Sequence, residues 1–214
     1  MESPEVFAIP NCLIVSVTTP AGQPVTRMRR VPLHGTDIEL LERCNGLCRR
    51  LCAEVPPLDE AQALVNALPD AIPRYSSRMM LLGYGTAPAF FAPLFGGGLG
   101  DLACAFLCGL AVGLCLLYGG KFIGANSFFR TAVCSALAAF LSLALVEAGL
   151  GESVDVVTIS TLMVLVPGVA LTNAMREIMA GDTFSALSRT ADAILVASAI
   201  ALGAAAGQAL GGLF

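Results

Sequence analysis

The stretch "LMVLVPGVALTNAMREIMAGD", residues 162–182, decides which kind of fold the chain adopts. It begins as an apolar run suited to a bilayer, yet Pro167-Gly168 lies in its middle and polar residues follow. Proline removes a backbone donor and clashes with the preceding helical turn, and glycine adds freedom at the joint. The pattern therefore predicts a membrane crossing whose helix bends or unwinds near the centre of the bilayer.

The composition of the whole chain is typical of a membrane protein. Of the 214 residues, 56% are hydrophobic and 13% are charged, against about 25% charged residues in soluble domains. Glu2 and Glu5 lie where a signal peptide would be basic. Most of the charge falls in the first third of the chain. We predict an α-helical integral membrane protein with a small cytoplasmic α+β region over residues 1–73 and a transmembrane domain over 74–214.

The N-terminal region has the pattern of a small sheet followed by helices. "VFAI" and "CLIVSV" flank the turn pair Pro10-Asn11, and "VTRMRRV" follows a second turn, so three short strands are expected. Thr36 and Glu39 have the spacing of a capping box at the start of a helix. A second helix is expected over "DEAQALVNAL". We expect the first helix to cover the apolar face of the sheet.

Cys44, Cys48 and Cys52 recur every four residues on that first helix. A zinc site normally has a close cysteine pair and a second group of ligands, and His34, the single histidine, lies outside the helix. The stripe is therefore interpreted as an apolar helix face, with no metal and no cofactor. The basic residues of the region are interspersed with acidic ones, which favours a face near anionic lipid headgroups over a nucleic-acid site.

The second part of the chain contains five segments of membrane-spanning length. Each is near the ~20 residues that a ~30 Å hydrocarbon core requires. The first contains Pro88 and Pro93, which membrane helices tolerate where neighbouring groups satisfy the freed carbonyls. The prediction is five transmembrane helices, over residues 79–97, 102–119, 128–147, 156–176 and 190–211.

The distribution of charge agrees with five crossings. Five crossings place the N-terminal region and loops 120–127 and 177–189 on one side, and loops 98–101 and 148–155 on the other. All 12 Lys and Arg residues fall on or beside the first side, whereas the second side carries only acidic residues. By the positive-inside rule, the N-terminus is cytoplasmic and the C-terminus lies outside.

Two glycine motifs predict close approach of helices. Gly109 and Gly113 lie in the second span, and Gly203, Gly207 and Gly211 lie in the fifth. Small residues at this spacing let helix backbones approach closely. Two explanations remain open: packing within one bundle, or a docking face for another subunit. The four cysteines of the spans are interpreted as small packing residues.

Polar groups around the break form the predicted transport site. Many transporters bind a solute where a helix is interrupted, with the positive end of a half-helix facing an anion. Asp192, at the apolar start of the fifth span, is interpreted as a buried proton carrier, as a side chain that snorkels to the interface, or as a partner of Arg189. The ligand expected is a small carboxylate-bearing solute. The site residues are Pro167, Gly168, Thr172, Asn173, Arg176, Glu177, Asp182, Arg189 and Asp192.

The alternative is a structural or regulatory membrane subunit in which Pro167 is only a kink and the charges are interfacial. An enzyme is not predicted, because the chain shows no nucleophile paired with a base and no metal cluster.

The broken segment also carries a family resemblance. "VPGVALTNAMREIMAGDTFSALSRTADAILVA" resembles the signature of the N-terminal half of the bacterial threonine/serine exporter family. "VFAIPNCLIVSV" and "PVTRMRRVPLHGTDIELLERCNGLCRRL" are similar to the cytoplasmic region of that family. The matching site residues are Pro167, Gly168, Asn173, Glu177, Gly181, Asp182, Arg189 and Asp192.

The resemblance implies a protein of the bacterial inner membrane. It implies export of small amino acids such as threonine and serine or, in relatives split into two proteins, of dicarboxylates such as succinate. Single-chain members continue into a second membrane half, whereas this sequence stops at Phe214. A separate membrane subunit is therefore expected as a partner.

Overall fold

A computed structural model describes residues 4–9, 12–19, 21–31, 37–69, 75–119 and 126–213. The strands are β1 (Glu5–Ile9), β2 (Cys12–Thr18) and β3 (Pro24–Arg30). The first helices are α1 (Ile38–Glu54), α2 (Leu58–Ala67), α3 (Ser77–Leu94) and α4 (Leu99–Tyr118). They are followed by α5 (Ser127–Glu147), α6 (Val154–Leu162), α7 (Gly168–Met179) and α8 (Thr183–Gly211).

The N-terminal strands form an antiparallel meander in the order β1-β2-β3. In the centre of the sheet, Val15 pairs with Val6 on one side and with Arg27 on the other. Helix α1 is capped by Asp37, whose side chain accepts a hydrogen bond from the backbone N–H of Leu40 at 3.0 Å. The residues predicted at the first turn and at the cap, Pro10-Asn11 and Thr36, lie outside the described residues.

Helix α1 does not cover the sheet, so that prediction is wrong. None of its residues is buried, and it packs beside α2. Cys44 is half-buried while Cys48 and Cys52 are exposed, so the cysteine stripe is not a core face within the described residues. Strand β1 instead contacts α8. A pattern of apolar spacing identifies one face of a helix but does not determine which neighbour it meets.

The helical bundle is built around two closely packed helix pairs, α3 with α4 and α5 with α8. Contacts between α4 and α5 join the two pairs. Its core consists of small residues. One cluster contains Ala92, Cys104, Ala105, Cys108 and Val157, and a second contains Val112, Cys134 and Ala138. Burial of Cys104, Cys108 and Cys134 confirms that these cysteines are packing residues.

The glycine motifs serve packing within the bundle. A Cβ added to Gly203 or Gly207 would overlap backbone carbonyl oxygens of α5. A Cβ on Gly109 would overlap the carbonyl oxygen of Tyr84 in α3, and one on Gly113 would lie 2.6 Å from the Cβ of Tyr84. Of the two explanations for these glycines, internal packing is therefore the one that the structure shows.

Three described helices, α4, α5 and α8, are long and apolar enough to cross a membrane. Helix α3 has 18 residues and continues through Pro88 and Pro93, but Arg78, its prolines and its glycines lower its hydropathy. The fourth predicted crossing is divided between α6 and α7, each too short to span alone. Five crossings therefore remain a prediction, as does the domain boundary near Pro73-Arg74, which lies outside the described residues.

Candidate functional site

The break predicted at Pro167-Gly168 is present, because no continuous helix covers residues 156–176. Helix α6 ends at Leu162, the chain turns, and α7 begins at Gly168 with Pro167 as its N-cap residue. Leu162 packs against a core cluster that includes Val112 of α4. Because a helix rises 1.5 Å per residue, Val112 lies about 20 Å along α4 from its start. If α4 crosses the hydrocarbon core, the break lies at a depth inside that core rather than at its surface.

The break leaves backbone groups without partners. Within the described residues, the carbonyl groups of Ser160, Met163, Val164 and Leu165 accept no hydrogen bond, and the N–H groups of Val169 and Ala170 donate none to the backbone. The free carbonyls form the negative end of α6, and the free amides form the positive end of α7. The two helix ends that face the interruption thus carry partial charges of opposite sign.

Helix α6 lies inside the bundle and contacts α3, α4 and α5. Its residues Val157, Thr158, Ser160 and Thr161 are buried. The Thr161 hydroxyl donates to the carbonyl oxygen of Val157 at 2.8 Å. In contrast, Thr158 Oγ1 and Ser160 Oγ are buried and have no hydrogen-bond partner in the described part of the chain. Such hydroxyls are costly in a low-dielectric interior, at about 1–3 kcal/mol each.

Helix α7 lies at the periphery. Only Ala174 among its residues is buried, and α7 packs chiefly against α8. The Thr172 hydroxyl donates to the carbonyl oxygen of Gly168 at 2.9 Å, so it is occupied within its own helix. Asn173 is half-buried and Arg176 is exposed. These predicted site residues lie on the half of the crossing that this chain leaves open.

Two residues of the family motif, Gly181 and Asp182, form the turn between α7 and α8. Gly181 has φ +87°, a left-handed conformation that favours glycine. Its N–H donates to the Ile178 carbonyl at 3.0 Å, and the Asp182 N–H donates to the Glu177 carbonyl at 2.9 Å, which is a Schellman closure. The Asp182 side chain then caps α8 by accepting from the Ser185 N–H at 3.5 Å. Asp182 therefore ends one helix and starts the next.

An ion pair joins the same two helices. Arg189 Nε lies 2.7 Å from Glu177 Oε1, and both side chains are partly exposed. Glu177 Oε2 is buried and has no partner among the described residues. The predicted alternative, a pair between Arg189 and Asp192, is wrong because Arg189 is directed towards Glu177.

The whole chain can now be placed in a family. Residues 1–211 match the model of ThrE, the threonine/serine exporter family. The chain belongs to the ThrE family. No curated protein and no solved structure matches it. ThrE is a family of transporters, so the chain is a membrane transport protein and its family gives no support to an enzymatic activity.

In this ThrE-family chain, Asp192 lies on the surface of the subunit rather than in its core. Asp192 is exposed and forms no hydrogen bond or ion pair within the described residues. Helix α8 has 29 residues, about 43 Å in length, whereas the hydrocarbon core is about 30 Å thick. If Gly211 ends at one membrane surface, Asp192 lies near the other. The depth of this acid in the membrane therefore stays a prediction.

A second acid of this ThrE-family chain was missed as a candidate. Asp101 in the first turn of α4 is only 1% exposed. Its Oδ1 accepts from the N–H groups of Glu152 at 2.7 Å and Ser153 at 3.0 Å, and its Oδ2 accepts from Gly98 at 3.2 Å. Asp101 thus fixes the start of α6 to α4 and brings together the two loops predicted to share the acidic side. The sequence signal for this role is the spacing of a capping box, in which an acid lies three residues after the N-cap residue Gly98.

Proposed function

We propose that the chain is one membrane subunit of a secondary exporter for small amino acids such as threonine and serine. It works with a second membrane subunit that completes the solute pathway. The observation that carries this proposal is the interruption between α6 and α7, which leaves backbone groups unpaired beside the exposed residues Val166 and Gly168. Membership of the ThrE family supports the substrate class.

The exposure of the break supports the second subunit. Val166 is 44% exposed, and Gly168 is exposed as well. Non-helical backbone at bilayer depth does not face lipid; it is either covered by protein or lines a water-filled cavity. An adjoining membrane subunit would supply the protein cover and the water-filled cavity, because it shields the break from lipid and leaves an aqueous path between the two proteins.

The substrate is proposed to carry a carboxylate. The free amides of Val169 and Ala170 lie at the positive end of α7, and the exposed cation Arg176 lies further along the same helix. A dicarboxylate such as succinate meets the same requirement. Threonine, serine and succinate are therefore the substrates to compare.

The proposed location is the bacterial inner membrane, with the N-terminus in the cytoplasm and the C-terminus outside. The distribution of all 12 basic residues supports this orientation. Contact between β1 and α8 also places the sheet beside the membrane bundle. A C-terminal reporter that is active only in the cytoplasm would contradict the orientation.

The direct test is efflux of labelled threonine, serine or succinate from cells that contain the chain, the membrane protein encoded beside it, or both. We expect rapid efflux of at least one solute only when both proteins are present. The variant Pro167→Ala/Gly168→Ala, which permits a continuous helix, should reduce efflux to near background. Pro93→Ala is the matched control, because Pro93 lies within α3 without interrupting it.

The alternative is a structural or regulatory subunit. It is supported by the structural contacts of Asp182, Glu177 and Arg189, which cap a helix or join two helices. It predicts that both the double variant and Asp192→Asn leave efflux unchanged. Unchanged efflux of every solute when the chain is removed would reject the exporter.

A further inference from the structure

The two faces of the N-terminal sheet differ in exposure. The hydroxyl oxygens of Ser16 and Thr26 lie 3.0 Å apart across β2 and β3, so these side chains share one face of the sheet. Successive side chains of a strand point to opposite faces, so their neighbours share the other face, which we call the open face. The open face consists of alternate residues of the three strands, from Val6 to Ala8, from Leu13 to Val17 and from Val25 to Arg29. All of them except Val15 are exposed.

The open face combines apolar and basic side chains. Val6 is 59% exposed, and Val17 and Val25 are each 43% exposed. Arg27 and Arg29 lie on the same face, and neither forms a hydrogen bond or an ion pair within the described residues, where the three ion pairs involve other arginines. No acidic residue lies on the open face. Valine side chains match acyl chains, and guanidinium groups match phosphate groups, so the chemistry of this face fits an anionic lipid surface.

Helices α5 and α8 run parallel but begin at different levels. Gly203 of α8 lies against Ala132 of α5, and the same contact recurs one turn later in both helices. Extending this register back places Ser198 level with the first residue of α5. Residues 183–197 of α8 therefore project beyond that level by about 22 Å, at about 1.5 Å per residue. Where both helices cross the membrane, that level marks a membrane surface.

The sheet is attached to the projecting part of α8. Strand β1 contacts α8. Both β1 and β3 are edge strands, with no second partner strand within the described residues, and an open sheet edge does not occur in the hydrocarbon region. The contact with β1 is therefore made by the part of α8 that lies outside the hydrocarbon. This contact holds the sheet beside the membrane surface, within reach of lipid headgroups.

We propose that the open face of the sheet binds anionic phospholipid at the membrane surface where α5 begins. Arg27 and Arg29 contact headgroup phosphates, and the valines contact the outer part of the acyl chains. Helix α7 packs on α8 and is paired with its projecting part through Glu177 and Arg189. Lipid binding by the sheet thus restrains the end of α8 that carries α7. The proposal is independent of which solute the chain carries.

The test uses the absence of tryptophan from the chain. Val25→Trp places a single fluorophore on the open face, and Met28→Trp places one on the opposite face of the same strand. These positions are 43% and 72% exposed, so both variants should fold. The full chain is placed in nanodiscs of phosphatidylcholine and phosphatidylglycerol, with bromine on the phosphatidylglycerol acyl chains as a contact quencher. We expect strong quenching in Val25→Trp and little in Met28→Trp.

Charge variants in the Val25→Trp protein test the role of the arginines. Each basic residue near an anionic surface contributes about a fivefold factor in binding, so Arg27→Gln/Arg29→Gln should lower the ratio of bound to free sheet about thirtyfold. Most of the quenching should then be lost. Arg43→Gln/Arg50→Gln is the matched control, because it removes the same charge from arginines that are already paired with Glu39 and Glu54. It should leave the quenching nearly unchanged.

Three results would overturn the proposal. Equal quenching in Val25→Trp and Met28→Trp would show that the sheet has no preferred face towards lipid. Quenching that persists in Arg27→Gln/Arg29→Gln, or that is as strong when bromine is carried by phosphatidylcholine in nanodiscs without phosphatidylglycerol, would show that the contact is not with anionic lipid. Emission from Val25→Trp that is never quenched but shifts to shorter wavelength when the partner subunit is added would show that the open face binds protein instead.

Discussion

Helices α6 and α7 are the two halves of one interrupted segment, the predicted fourth crossing, and their surroundings differ. Helix α6 packs against α3, α4 and α5 and buries four residues, Val157, Thr158, Ser160 and Thr161, while Ile159 on its outer side is 44% exposed. Helix α7 buries only Ala174 and packs chiefly against α8. This chain therefore provides most of the surroundings of the first half, the enclosed half, whereas most of the second half, the open half, has no neighbour within the described residues.

The two halves contribute different chemical groups to the candidate site. The enclosed half presents a negative helix end with an unpaired serine hydroxyl, and its geometry is set by Asp101 within this chain. The open half presents a positive helix end and carries Asn173 and Arg176. In such an arrangement, a movement of α7 relative to α6 changes the distance between the two ends. Transport by alternating access requires a change of this kind around a fixed site.

The largest effect is expected from detaching the enclosed half. Asp101→Ala removes the charged acceptor from three backbone N–H groups, those of Gly98, Glu152 and Ser153. Each hydrogen bond to a charged group contributes about 1.5–3 kcal/mol, but the three bonds share one carboxylate and their contributions do not add fully, so a loss of about 3–5 kcal/mol in the free energy of unfolding is expected. Unfolding of the purified protein in mixed detergents measures it.

The matched control for that variant is Asp155→Ala. Asp155 lies in the first turn of α6 and is exposed, so its removal should cost about 0.5 kcal/mol through the helix dipole. Equal losses in the two variants would show that Asp101 does not anchor α6, and the contrast between a fixed and an open half would lose its physical cause.

The next effect concerns the support of the open half. Because α7 packs chiefly on α8, the seam between α8 and α5 holds both. Gly207→Leu introduces a side chain where even a Cβ would overlap the carbonyl oxygen of Ala136. We expect about 2–3 kcal/mol of destabilisation. Ala205→Leu, on the exposed side of α8, should change the unfolding midpoint little. A stable Gly207→Leu protein would mean that α8 is free to move away from α5.

The contrast between the halves also shows how far the sequence is informative. The break was predictable because Pro167-Gly168 acts locally, and the motif Gly181-Asp182 has a local role as a turn and cap. The packing role of Gly203 and Gly207 needed the structure, since glycine spacing predicts a close approach but does not identify the other helix.

Local sequence patterns could not predict which polar side chains of the apolar helices are buried. Asp192 and Ser160 both follow apolar residues, yet the first is exposed and the second is fully buried. Which side of a membrane helix faces protein depends on the packing of its neighbours. The polar residues that stand out in the sequence are therefore mostly on the open half, and the inconspicuous hydroxyls of "VTISTL" are enclosed.

The smallest effect is expected at the ion pair that holds the open half. Glu177 and Arg189 are partly exposed, so screening by solvent reduces their attraction. In a double-mutant cycle with Glu177→Gln and Arg189→Gln, we expect a coupling of about 0.5–1 kcal/mol that weakens as salt is added. Arg176→Gln, at an exposed position on α7, should be within about 0.5 kcal/mol of wild type. A coupling energy of zero at low salt would show that the ion pair does not stabilise the packing of α7 on α8. The turn at Gly181-Asp182 and apolar packing would then be the forces that keep the open half in place.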